Sequence, residues 1–127
     1  MKPTIVFDVR YMLERNDEAD YKEDILRTAN ALGQFLEQNG LLKRKVLNTR
    51  GKVSKNEIIT EDDLTEDGLA LSWGLYIRKW LGAQDRGTKI ENVKRLEKGL
   101  AEIRKVGARE FLKSTRYYIY HTDKKPD

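Results

Sequence analysis

Between Thr4 and Leu13 apolar and polar positions alternate, with Ile5, Phe7, Val9, Tyr11 and Leu13 on one side and Val6, Asp8, Arg10 and Met12 on the other. That is the period of a half-buried strand, so one strand is expected over Thr4–Leu13. From Tyr21 the repeat lengthens. Tyr21, Ile25, Ala29, Leu32 and Leu36 follow at steps of four, four, three and four, which places them on one face of a helix. Asp17 or Asp20 is expected to cap this helix and the acids in its first turn suit its dipole, while Asn39-Gly40 accepts the left-handed backbone that closes it.

Leu41 to Ile59 reads as a basic hairpin. Val46-Leu47 and Ile58-Ile59 are its apolar arms, and Asn48-Thr49-Arg50-Gly51-Lys52 supplies the turn. A second helix opens after Asp63-Leu64, with Thr65 as its cap, Leu69, Trp73, Tyr76, Ile77 and Trp80 along its apolar face and Gly82 at its end. Thr88-Lys89-Ile90-Glu91 fits a capping box, in which the Thr and Glu side chains satisfy each other's backbone amides. Val93, Leu96, Leu100 and Ile103 carry the third helix onward, and Ala108 to Lys113 either continue it or form a separate last turn. Tyr117-Tyr118-Ile119-Tyr120 reads as a C-terminal strand placed to pair with the first one. The expected fold is therefore α+β and mostly α, with three main helices, an N-terminal strand, a short basic hairpin and a C-terminal strand. Residues 1–122 form one domain in this reading, and 123–127 a frayed tail.

The length of 127 residues fits one core, and the 39% hydrophobic and 36% charged shares imply a small core under a crowded charged surface. The charge is unevenly spread. Residues 1–67 carry 11 Lys+Arg against 14 Asp+Glu, a net of −3, and residues 68–127 carry 14 against 7, a net of +7. The sharpest contrast is local: Lys43, Arg44, Lys45, Arg50, Lys52 and Lys55 come without an intervening acid, and Glu57, Glu61, Asp62, Asp63, Glu66 and Asp67 follow without a base. Glu14, Asp17, Glu18, Asp20, Glu23 and Asp24 form a second acidic run. Such blocks are solvated faces or docking surfaces for a partner of opposite sign.

Catalytic chemistry has little to work with. The absence of cysteine excludes disulfides, thiolate metal sites and a cysteine nucleophile, and His121 is the single histidine. Ser54, Ser72 and Ser114 have only His121 as a conceivable base, and no phosphate-binding glycine loop or nucleophile turn occurs. The acids at 61–67 are of the type that binds hard cations, but adjacent Asp62 and Asp63 and the position of Gly68 depart from the calcium-loop spacing. No enzyme activity, metal or cofactor is expected. No apolar run is long enough for a membrane span, and Ile5-Val6-Phe7 is too short for the core of a signal peptide, so no membrane partner and a cytoplasmic location are expected.

Two resemblances suggest what such a domain binds. The stretch Leu36 to Arg44, the basic hairpin, and Asp63-Leu64-Thr65-Glu66-Asp67-Gly68-Leu69 resemble the passage of winged-helix regulators from recognition helix through wing to the next helix. That likeness implies a DNA partner. Here, however, a strand stands where further helices should precede the recognition helix, and Glu23, Asp24 and Glu37 flank Arg27, Asn30 and Gln34 on the face that would meet DNA.

The series Asn39-Gly40-Leu41-Leu42, Asp63 to Leu69, Lys79-Trp80-Leu81, Asp85-Arg86-Gly87 and Leu96-Glu97-Lys98-Gly99-Leu100 resembles small bacterial immunity proteins of the contact-dependent growth inhibition and polymorphic-toxin type. This second likeness implies a cognate toxin protein as partner, with a nuclease toxin favoured, and carries over no functional residue. Electrostatics supplies the candidates: an inhibitor of an enzyme with a basic cleft presents carboxylates to it. Glu61, Asp62, Asp63, Glu66 and Asp67 are the first set and Asp17, Glu18 and Asp20 the second. The sequence leaves the oligomeric state open.

Overall fold

The computed structural model describes residues 3–15, 19–75 and 89–115. Its elements run in the order β1 (Ile5–Asp8), α1 (Val9–Glu14), α2 (Ala19–Gln38), β2 (Ile58–Thr60), a 3-10 turn (Glu61–Asp63), α3 (Glu66–Leu75), α4 (Lys89–Val106) and α5 (Ala108–Lys113). The chain is mixed α+β and mostly helical, with a two-stranded antiparallel sheet. Gly82, Thr88 with its capping box, Tyr76, Ile77, Trp80 and the expected strand at Tyr117 to Tyr120 lie outside the described residues.

The first strand is shorter than the alternation predicts. It ends at Asp8, whose backbone is extended and whose Oδ1 accepts the Tyr11 amide at 3.0 Å, so that residue caps α1 instead of continuing the ladder. Pairing also slips: Ile5 faces Thr60 while Phe7 faces Ile59, a bulge that lets the consecutive Val6 and Phe7 both turn inward. Ile5 and Tyr11, which the alternation assigns to the buried side, are accordingly 45% and 53% exposed.

The hairpin is corrected as well. Leu47 pairs with Val53 across a tight turn, and Ile58-Ile59 pairs with β1 instead of with Val46-Leu47. The turn is closed by Asn48, whose amide donates to the Lys52 carbonyl at 2.9 Å and whose Oδ1 accepts the Arg50 and Lys52 amides at 2.9 and 3.1 Å. Gly51, at φ 72°, takes the left-handed position the turn requires.

Helix α2 follows its periodicity: Ile25, Ala29, Leu32 and Leu36 are buried, joined by Thr28 and Phe35. It ends as Asn39-Gly40 predicts. The Leu41 amide reaches back to the Leu36 carbonyl (2.9 Å) and that of Gly40 to Glu37 (3.2 Å), with Gly40 at φ 67° and Leu36 and Leu41 both buried. This is a Schellman closure with its apolar contact. Arg104 of α4 adds a cation there, donating to the Asn39 carbonyl at 2.7 Å.

Helix α3 begins at the expected cap, the Gly68 amide donating to Thr65 Oγ1 at 3.2 Å. Its burial is less one-sided than the sequence suggests, since Ala70 and Leu71 are inaccessible while Leu69 and Trp73 are only partly buried against the core. The reason is that α3 is packed on two sides: a side chain at Gly68 would meet the Leu41 carbonyl, and one at Gly74 the Phe111 ring of α5. Leu96, Leu100 and Ile103 of α4 are buried as their spacing predicts. Gly107, at φ 93°, then breaks the helix, so Ala108–Lys113 is a separate element that folds Phe111 and Leu112 into the same core.

Candidate functional site

The acidic run at 57–67 and the basic run at 43–55 meet in space, and Arg44 joins them. The Leu42–Leu64 pair, the Lys43 amide on the Asp63 carbonyl (2.8 Å) and the Thr65 amide on the Leu41 carbonyl (3.0 Å) lay the two segments side by side. From there Arg44 Nε donates to Asp63 Oδ1 at 3.0 Å and Nη2 to the Ile58 carbonyl at 3.0 Å, and Nη2 also binds Glu57 Oε1. Asp63 is held from its other side too, its Oδ2 accepting the Thr60 amide at 2.9 Å.

The pKa directions follow from this arrangement. The hydrogen bond to Asp63 raises the Arg44 guanidinium against the cost of burial, with Glu57 adding to it. For Asp63, burial pushes upward, but the bonds from Arg44 and Thr60 outweigh it and the carboxyl ends below its ordinary value.

The first set of candidate carboxylates therefore divides. Glu61 accepts the Trp73 indole N–H at 2.7 Å and Asp63 belongs to the Arg44 cluster, so both serve the fold. Asp62, Glu66 and Asp67 make no side-chain hydrogen bond or ion pair among the described residues; Asp62 and Glu66 are exposed and Asp67 half-buried. Two helix-initiating turns set their positions, Thr60–Asp63 ahead of the 3-10 turn and Thr65–Gly68 ahead of α3. Of the second set, Asp17 and Glu18 lie outside the described residues, and Asp20 belongs to the first turn of α2.

Sequence reasoning missed the anchors of the basic turn. Glu37 Oε1 accepts the Val46 and Leu47 amides at 3.0 and 3.4 Å, Asn30 Oδ1 accepts the Val53 amide at 2.8 Å, and Gln34 Nε2 donates to the Gly51 carbonyl at 2.8 Å. A Cβ on Gly33 would stand 2.4 Å from Val53 Cγ2, so the glycine is what allows the turn to lie on α2. The i, i+4, i+7 spacing of Asn30, Gln34 and Glu37 marked a polar face in the sequence; what it did not reveal is that chain covers it. The remaining acids of the α2 start are engaged locally: Arg27 bonds Glu23 at 2.6 Å and lies 3.7 Å from Asp24.

Among the described residues no group of three or more His, Asp or Glu side chains is placed to hold a metal ion, and no helix is long and apolar enough to cross a membrane. No protein-family model, curated protein or solved structure matches the chain.

Proposed function

We propose that this protein acts by stoichiometric protein association, as an immunity protein that neutralises a cognate bacterial toxin in the cytoplasm, with a nuclease toxin as the favoured target. The observation that carries the reading is the division of the acidic run. Glu61 and Asp63 are spent on Trp73 and Arg44, and that fixed frame presents Asp62, Glu66 and Asp67 without internal partners among the described residues. A backbone already held by the fold needs no ordering on docking, and the carboxylates it carries draw a basic cleft toward them by long-range attraction. Weighing against the winged-helix reading, Asn30, Gln34 and Glu37 hold the backbone of the turn and are engaged there instead of being turned to base edges.

The test is a tagged pull-down from the organism that encodes the protein, with nuclease treatment to remove nucleic-acid bridges. One stoichiometric partner, recovered by the wild type and weakened at least tenfold by the triple variant Asp62→Asn, Glu66→Gln, Asp67→Asn, supports the reading. A partner bound equally by both proteins removes the acidic site. Recovery of no protein partner removes the function.

A further inference from the structure

We infer that the turn from Lys43 to Lys55 is a docking surface for the phosphate backbone of nucleic acid, independent of base sequence. It uses none of the residues of the toxin-inhibitor reading and stands apart from it.

Of the six cations in this stretch, Arg44 is consumed by Asp63 and Glu57. Lys43, Lys45, Arg50, Lys52 and Lys55 are exposed and have no ion pair among the described residues. Lys45 and Lys55 lie two residues outside the Leu47–Val53 pair, one on each arm, and Arg50 and Lys52 occupy the tip. Three nearby acids are committed elsewhere, Glu57 and Asp63 to Arg44 and Glu37 to the Val46 and Leu47 amides, while the exposed Asp62 lies at the base of the turn, next to the Asp63 carbonyl that accepts the Lys43 amide.

The turn is also rigid. Its amides at Val46, Leu47, Asn48, Arg50, Gly51, Lys52 and Val53 are all bonded within the protein, and Gly33 lets Val53 seat closely on α2. These seven amides are thus taken up within the protein, and the turn's attraction for an anion rests on its cationic side chains.

The composition of the exposed surface selects the partner. Lys43, Lys45, Thr49, Arg50, Lys52, Ser54, Lys55 and Asn56 are exposed, and the apolar Val46 and Val53 are buried beneath them. Lysine and serine are depleted at protein interfaces, whereas phosphate contacts come from Lys, Arg, Ser, Thr and Asn. The neighbouring α2 amides and carboxylate that would suit base edges hold the turn, so no preference for sequence is expected.

The experiment is fluorescence anisotropy of the full chain with a labelled mixed-sequence duplex of about two helical turns. With four to five phosphates engaged, the log–log salt slope is about −4, and affinity falls roughly 250-fold between about 50 and 200 mM salt. The quadruple variant Lys45→Gln, Arg50→Gln, Lys52→Gln, Lys55→Gln should lose this binding and most of the slope. The control Lys94→Gln, Lys98→Gln, Lys105→Gln, Arg109→Gln removes the same net charge elsewhere and should retain both. Arg50→Glu, a single change at the exposed tip, keeps the test valid should the quadruple variant fold poorly, and should weaken binding by tenfold or more. The inference is overturned if the duplex does not bind at low salt, or if the control loses as much as the turn variant. It is also overturned if polyglutamate competes as well as single-stranded DNA of equal charge, which would assign the surface to an acidic protein.

Discussion

Gly68→Ala reverses the usual sign of a glycine substitution in a helix, and the structure says why. In an open helical position the change stabilises by about 0.5–1 kcal/mol through the entropy of the unfolded chain. At residue 68 the new Cβ would stand 2.7 Å from the Leu41 carbonyl oxygen and 3.3 Å from Leu64 Cβ. Relief to an ordinary 3.4 Å contact requires backbone to move by 0.7 Å, the difference between 3.4 and 2.7 Å. That carbonyl also accepts the Thr65 amide at 3.0 Å and the Thr65 hydroxyl at 3.3 Å, so moving it loosens the α3 cap. Overpacking costs about 1–3 kcal/mol and a weakened hydrogen bond about 1 kcal/mol more. After subtracting the helix gain, the net is about 2 kcal/mol of destabilisation. Urea unfolding followed by far-UV circular dichroism should show a midpoint lower by about 1 M for a slope near 2 kcal/mol/M. Gly40→Ala is the comparison: nothing lies within 4 Å of its Cβ, and the cost of about 1 kcal/mol comes from the φ of 67° alone. A Gly68→Ala protein as stable as wild type, or more so, would refute the close approach of residues 41 and 68 and with it the side-by-side placement of the two charged runs.

Asp63→Asn should cost about 1–2 kcal/mol near neutral pH, a figure held down by the 40% exposure of the Arg44 side chain. Because the folded Asp63 carboxyl lies below its ordinary 3.8, its contribution is fully present above that value and fades as pH falls through the folded pKa. Denaturation curves of the two proteins should therefore differ at pH 7 and converge as the pH falls below 3.8 and through the lower folded pKa; a gap that stays constant with pH would detach Asp63 from Arg44. Gly33→Ala should lift the basic turn from α2, because its Cβ would meet the stiff Val53 side chain at 2.4 Å. Hydrogen exchange at the Val53 amide, now bonded to Asn30, should speed up by tenfold or more, and unchanged protection would show that the turn does not rest on this helix.

What the sequence determined by itself was the set of features that depend on near neighbours. The α2 face from Ile25 to Leu36, the Asn39-Gly40 closure, the Thr65 cap and the α4 stripe at Leu96, Leu100 and Ile103 were all legible, because helical period and capping chemistry act within a few residues. The choice of strand partner was not. Ile58-Ile59 has the same local character whether it pairs with Val46-Leu47 or with β1, and only the tertiary fold chooses β1, leaving Val46 and Val53 to pack on α2 through Gly33. The end of β1 was ambiguous for a similar reason: Asp8 is both a strand residue by alternation and an N-cap by chemistry, and the bulge opposite Ile59 decides between them. The two charged runs were visible as runs, but their meaning depended on geometry. Contacts across 13 to 19 residues turn Arg44, Glu57 and Asp63 into an internal ion cluster, and thereby separate the charged groups that hold the fold from those left without an internal partner among the described residues. A linear pattern records charge order, whereas burial and distance decide which charges are neutralised.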